Sequence, residues 1–429
     1  ETERSVSKLP SILIYLVDTL RSDHLGCYGY PRDISPRIDA FAADSILFEE
    51  AVGQSTWTRP AVATLLTGLW PVAHGANQRG EKLSSEALTL AEVLRDAGYR
   101  TAAFVSNPNV SGTFGFRQGF DEFFQLQGQP KVRSDVITDR VVRWLDAQSS
   151  GAPTFLYVHT ADPHNPYLAP EPYRSIYAPT SEREIEEITS NPKKQSWEPS
   201  KEVLSSLQDL YDAEIAFTDD SFGNLLDYLR ASKMYENTVI LFVSDHGEEF
   251  AEHGAWTHGK NLHVETLRIP LIARFPEITT GQRIPTYVQQ ADVFPTILDY
   301  LGIGFDPSAL DGRSLLHLID PSSSTAPKPT EPIFSYLHRY GAPSVSVVYD
   351  GWKLMQRRSL ANPPFRHLYE LSSDPHETEN LAATLPIRVG YLAALIQRKL
   401  ADTHHLLSSE EVEIDPELEK SLEALGYLQ

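Results

Sequence analysis

The chain has 429 residues, 41% hydrophobic and 10% aromatic, enough to bury one large core and a smaller one. Its formal net charge of -21 argues against nucleic acid or an anionic membrane as the main partner, and it calls for local positive charge or a metal ion wherever an anion is to be held. A single cysteine, Cys27, excludes an internal disulfide and a cysteine metal cluster, and no apolar run reaches the roughly 20 residues of a spanning helix.

In chain order, "SILIYLV" (11–17) is a continuous apolar run ending at Asp18 and reads as a fully buried strand. "SPRIDAFAADS" (35–45) carries a Ser-Pro helix start, and "ILFEEAV" follows as a second strand. In "STWTRPAVATLLTG" (55–68), Pro60 presets a first helical turn and Gly68 suits a C-cap, so a short helix follows Thr58. "LTLAEVLRDAGY" (88–99) has helical spacing with Gly98 as its cap, and "RTAAFVSN" gives another strand. "DVITDRVVRWLDAQ" is amphipathic, and "TFLYVHT" (154–160) is a strand ending near His159 and Asp162.

Residues 180–200 lack clean periodicity and read as a surface excursion. Residues 203–229 follow as one long helix, with Leu204, Leu207, Tyr211, Ile215, Phe222, Leu225 and Leu229 on one stripe. "TVILFVS" (238–244) ends at Asp245-His246, and "IPLIARF" supplies a further strand. The Pro/Ser-rich segment 320–332 reads as a linker or surface crossing. Beyond it, "PIFSYL", "SVSVVYDGWKLMQ" and "RHLYEL" predict a small antiparallel sheet, and "RVGYLAALIQRKLADT" a helix packed on it.

Alternating strands and helices predict an α/β fold, with a mainly parallel sheet sandwiched by helices. Ligands in such folds bind beyond the carboxyl ends of the strands. Asp18, Asp162 and Asp245-His246 each follow an apolar strand, so three separate segments bring polar groups to one edge. Asp18, Thr58, Asp245 and His246 offer a mixed oxygen and nitrogen set, suited to Zn²⁺ or Mn²⁺ rather than Ca²⁺. A divalent ion and a helix N-terminus would make the Thr58 hydroxyl a nucleophile; taken by position alone, the same threonine is a helix cap.

The motifs "VDTLRSDHLGCYGY" (17–30), "TRPAVATLLTG" (58–68), "WPVAHG" (70–75), "YVHTADPHNPY" (157–167), "SDHGEEFAEHGAWTHGKNLHVETLRIPLI" (244–272) and "HLYELSSDPHETENLA" (367–382) resemble, in the same order, those of the sulfatase family within the alkaline phosphatase superfamily. The resemblance runs from about residue 8 to the C-terminus. It implies an alkaline phosphatase-like catalytic domain over 8–320, a C-terminal subdomain over 331–429, one or two divalent metals, and hydrolysis of sulfate or phosphate esters. It also implies that Lys260 and His164 bind the substrate anion; His258, whose pKa range suits proton transfer, is a candidate general acid or a solvated loop histidine, and Arg59 beside the nucleophile is a further positive group.

Two departures shape the expected chemistry. The family signature begins with a Cys or Ser that is oxidised to formylglycine; Thr58 stands there, Val62 replaces the signature arginine, and no formylglycine is expected. Thr19 stands where the family has a second aspartate, and His246 where it has an asparagine. One hydroxyl cannot expel its ester as a hydrate can, so phosphate-ester hydrolysis (mono- or diester) through phospho-Thr58 is expected. The alternatives are a sulfatase acting without formylglycine and a non-catalytic metal- or glycan-binding protein. The partner is a small anionic ester, with no nucleic acid and no integral membrane segment. The protein is expected to be periplasmic or secreted if a leader was removed ahead of Glu1, and cytoplasmic otherwise.

Overall fold

The computed structural model describes residues 9–126, 131–148, 151–179, 200–278, 281–320, 331–339, 341–357, 365–402, 406–425 and 427. All but the last residue of the excursion expected over 180–200 and most of the linker expected over 320–332 lie outside them. Among the described residues no helix is long and apolar enough to cross a membrane.

An eight-stranded sheet forms the frame. Its strands run in the order Gln282–Gln289, Ile46–Val52, Arg268–Arg274, Thr238–Ser244, Ser11–Val17, Thr154–Thr160, Arg100–Val105 and Glu122–Gln125. The Arg268–Arg274 strand runs antiparallel to both neighbours, and every other pairing is parallel. Sequence reading missed both edge strands, Glu122–Gln125 and Gln282–Gln289; the second shows why. Its burial alternates weakly, and Pro285 sits inside a register shift, which an edge tolerates because one side needs no N–H donor.

The central strand shows why a continuous apolar run was needed. Ile12, Ile14 and Leu16 enter the core on one face, while Leu13, Tyr15 and Val17 enter that on the other. A strand buried on both faces loses the alternation of a half-exposed one. The Thr58–Thr67 helix lies in the first of these cores, and all ten of its residues are buried. Gly68 ends it at φ 69, the left-handed geometry expected of its cap. The long helix, Lys201–Ala231, covers the other face through Leu207, Tyr211, Ile215, Phe222, Leu225 and Leu229.

The strands Ile333–Leu337, Ser344–Tyr349, Trp352–Arg357 and Arg366–Glu370 form the antiparallel sheet. One of its faces packs on the Pro386–Ala401 helix through Val389, Leu392 and Ile396, and the other meets Trp57, Leu262 and Leu267 of the main body. The chain then returns to the large layer. Glu410–Glu411 pairs with Glu81–Lys82, and Leu418, Leu422 and Leu425 join the main core. The 331–429 unit expected from sequence is therefore not continuous at its far end, because the apolar stripe of the Pro416–Ala424 helix is buried under the large sheet.

Candidate active site

Four neighbouring parallel strands end in register, Val17 opposite Ser244 and Thr160, and Val105 opposite His159. The residues just beyond these ends converge: Asp18, Asp245-His246, Asn107 and His164. The helix bearing Thr58 arrives from the Ile46–Val52 strand. Thr19 follows Asp18 at φ 58, an uncommon conformation for a β-branched residue, and its N–H donates to Asp245 Oδ1 at 3.1 Å. That turn ties the two aspartates together.

Ligand atoms of Asp18, Asp245 and His246 all lie within 4.8 Å of one another, and the three residues are fully buried. Each carboxylate has one oxygen held and one left over. Asp18 Oδ2 is held by Asn107 Nδ2 and by His159 Nε2 at 3.2 Å; Asp245 Oδ1 accepts from Thr19 N and from His246 N at 2.9 Å. Asp18 Oδ1 and Asp245 Oδ2 are buried without a hydrogen-bond partner. His246 Nδ1 donates to the Gly247 carbonyl at 2.9 Å, which leaves the Nε2 lone pair facing Asp245 Oδ2 at 3.3 Å and Asp18 Oδ1 at 4.0 Å. Two buried carboxylates with unpaired oxygens cost several kcal/mol without a cation, so this donor set fits a divalent metal.

The electrostatics follow the same geometry. Burial pushes the Asp18 carboxyl up, but the His159 hydrogen bond and the neighbouring histidines outweigh it and hold the group at about 2. Burial, then the Asp18 charge, push Asp245 up to about 6. Burial lowers His164 to about 4. It drives His258 well below its ordinary value, with His246 and His164 adding to the effect. Glu248, whose Oε1 lies 2.9 Å from His258 Nδ1, is raised well above the usual carboxylate range by burial.

Thr58 does not cap its helix. It is the first helical residue, the cap is Trp57, and no side-chain cap bond forms. Its Oγ1 instead faces Tyr427 Oη at 2.9 Å, His246 Nε2 at 3.4 Å and Asn107 Nδ2 at 3.5 Å. His164 and His258 stand beside this group, their rings 5.0 Å apart, and His164 Nε2 is buried and unpartnered. Lys260 is exposed, with Glu248 and Glu249 acting on its charge.

Arg59 requires a correction. Its guanidinium donates to the Gln78, Arg79 and Glu81 carbonyls at 2.9, 2.7 and 2.8 Å and to Asn109 Oδ1, and it stacks 3.4 Å over Phe114. One helical step rotates about 100°, which turns it away from the face that carries Thr58. It holds a loop and binds no anion. Asp162 likewise stays outside the cluster, accepting from Ser134 N and Oγ and pairing with Lys131 at 3.2 Å. His159 is an orienting partner of Asp18, held in turn by Tyr157 Oη at 3.1 Å.

Sequence reading missed four groups: Glu248, the partner of His258, is one. Asn107 was findable, because it follows a buried strand just as Asp18 does. Arg339, whose guanidinium lies 5.5 Å from the Trp57 ring and 5.1 Å from that of Tyr427, comes from the small sheet. Gly259, at φ +73, leaves it room, since a Cβ there would meet Arg339 Nη1 at 2.6 Å. Tyr427 had no local signal at all.

The family model described as "Sulfatase" matches residues 10–303, and that of the N-sulphoglucosamine sulphohydrolase C-terminal region matches 251–404. The chain belongs to the sulfatase family. A ulvan-active sulfatase of Formosa agariphila is 29% identical over 343 residues, 72% of this chain and 65% of that protein. An N-acetylglucosamine-6-O-sulfatase of Bacteroides thetaiotaomicron is 22% identical over 88% of this chain and 84% of its own length. Among solved structures, the phosphonate monoester hydrolase of Agrobacterium radiobacter superposes with TM-score 0.76 at 22% identity, covering 95% of this chain and 98% of that one. The chain is thus a sulfatase-family hydrolase of esters with an alkaline phosphatase-like α/β fold, and the family implies a divalent metal at a cluster such as Asp18, Asp245 and His246.

Proposed function

We propose that this sulfatase-family protein hydrolyses phosphate esters, mono- or diesters, by passing the phosphoryl group first to Thr58 and then to water. The observation that carries this reading is the Thr58 side chain itself: one hydroxyl, not a cap, aimed at His246 Nε2 beside two carboxylate oxygens that lack partners. Asp18, Asp245 and His246, with Thr58 adjacent, would hold one divalent ion, Zn²⁺ or Mn²⁺ by their donor chemistry, which supplies charge that lowers the hydroxyl pKa.

Thr58 Oγ1, its proton already released to solvent, forms the new bond to phosphorus as the leaving oxygen departs and is itself released unprotonated in the second step. His258 protonates that oxygen. Burial raises Glu248 and lowers His258, which favours a Glu248 hydroxyl donating to Nδ1 and an Nε2–H facing the leaving group. As Nε2 gives its proton, Nδ1 takes the one from Glu248. Water then attacks the phosphothreonine at phosphorus, and the protons return along the same path. Lys260 complements the anion's charge, and His164, lowered to about 4 by burial, stands beside it as an uncharged ring. A sulfothreonine has no hydroxyl with which to expel sulfate, which favours phosphorus over sulfur.

The names of the relatives favour a second reading, a sulfatase that acts without formylglycine. Both readings are tested by metal-stripped protein restored with Zn²⁺ or Mn²⁺ and offered bis(4-nitrophenyl) phosphate, 4-nitrophenyl phosphate and 4-nitrophenyl sulfate. Metal-dependent phosphoester turnover that disappears in Thr58→Ala supports the first. Turnover of the sulfate alone, or full activity in Thr58→Ala, sinks it.

A further inference from the structure

The nucleophile candidate has no free approach. Thr58, Asp18, Asp245, His246 and Asn107 are fully buried, and what lies directly against the Thr58 hydroxyl is the phenol of Tyr427. Tyr427 Oη is 2.9 Å from Thr58 Oγ1 and 3.0 Å from Asn107 Nδ2. Its ring lies 5.2 Å from the His164 ring and 5.9 Å from that of His258, and the Arg339 guanidinium stands 5.1 Å from its centroid. The residue is 3% exposed. A phosphoryl or sulfuryl group within bonding reach of Thr58 has to occupy the space this hydroxyl fills.

We propose that Tyr427 is a resident ligand of an aryl-alcohol subsite: its ring fills the place of a substrate's aromatic leaving group, its hydroxyl fills the place of the transferred group, and an aryl ester binds by displacing it. Flat imidazoles and a guanidinium plane on several sides form an aromatic cradle, and a phenol is the one ligand seen in it. The attachment of Tyr427 suits displacement. The Pro416–Ala424 helix is held through Leu418, Leu422 and Leu425, most of its other residues are exposed, and Tyr427 N bonds back to Leu422 O at 2.8 Å. Upstream, the tether is a two-residue strand pair with the Lys82–Glu410 ion pair. Helix and tyrosine are anchored in the main core by Leu418, Leu422 and Leu425, and none of the strands that position Thr58 comes from this segment.

The kinetic part of this inference rests on Thr58 being the reacting hydroxyl; the binding part does not. The test uses the full chain as Tyr427→Ala, with Tyr427→Phe to keep the ring, and 4-methylphenol, the tyrosine side chain, as probe. Calorimetry should show saturable 4-methylphenol binding to Tyr427→Ala, and binding at least about tenfold weaker to the parent and to Tyr427→Phe. With 4-nitrophenyl phosphate, kcat/KM should rise at least tenfold in Tyr427→Ala, meaning the subsite is self-occupied about nine-tenths of the time. Methylphenol should then compete the gain away. Absence of methylphenol binding to a folded Tyr427→Ala protein overturns the subsite. A fall in kcat/KM that methylphenol restores overturns the displacement and makes the phenol a participant in the reaction. If no ester is turned over by any variant, the hydrolase reading fails, and calorimetry still decides the subsite.

Discussion

Two clusters of histidine and carboxylate lie close together in this protein, and they are satisfied in opposite ways. Around Thr58, Asp18 Oδ1, Asp245 Oδ2 and His164 Nε2 are buried without partners. Between the main body and the small sheet, His253 and His263 stack 3.6 Å apart and 5° from parallel, and carboxylates and a carbonyl bond to them. His253 meets Glu265 Oε2 and the Glu377 carbonyl, each at 3.1 Å; His263 meets Glu377 Oε2 at 2.9 Å; Lys353 meets Glu377 Oε1 at 2.5 Å. The residue types match, but only the first set has acceptors left over for a cation. Composition does not separate a site from a seam between two sheets; unspent lone pairs do.

If that distinction holds, variants of the two clusters should fail differently. Thr58→Ala should lower phosphoester turnover by about 10³-fold or more while leaving the melting temperature near the parent value. Glu377→Gln should do the reverse. It strands the buried Lys353 and should cost about 3–5 kcal/mol in a denaturant titration, with turnover per folded molecule kept. Near-parental stability in Glu377→Gln would erase the contrast. Zn²⁺ or Mn²⁺ at about 100 times its dissociation constant should stabilise stripped protein by roughly 3 kcal/mol. Asp245→Asn should abolish that gain, and His263→Gln should keep it.

The smallest effect concerns pH. Burial lowers the His253 pKa, but Glu265 and the Glu377 carbonyl outweigh it and raise the group to about 9. A raised histidine stabilises fully below its unfolded value and loses that contribution as pH climbs through the folded one. Stability should therefore fall between pH 7 and 9 by about 1–2 kcal/mol after solvent screening, and His253→Gln should flatten the decline. An unchanged slope in that variant would assign the decline to another group.

The inner strands of the large sheet could be read from the chain because they are short apolar runs that end near polar residues, which the edge strands Glu122–Gln125 and Gln282–Gln289 are not. Asp18 and Asp245-His246 were found that way, and Asn107 obeyed the same rule unread. Arg59 misled because adjacency in sequence is not adjacency on a helix. Arg339 and Tyr427 reach Thr58 from segments more than 250 positions away, by docking of a second sheet and a last helix, and no local pattern encodes a docking. The linker and the excursion gave compositional signals only.

The helix that carries Thr58 has no outer side. All ten of its residues are enclosed, so almost any substitution there must be answered by several others around it. Arg339 and Tyr427, proposed to face the substrate side, come instead from the small sheet and the last helix, which meet that core through a few side chains. Diversification on such a scaffold should therefore run in two tempos, with the reacting hydroxyl and its cation seat nearly frozen while the parts that choose the ester drift freely.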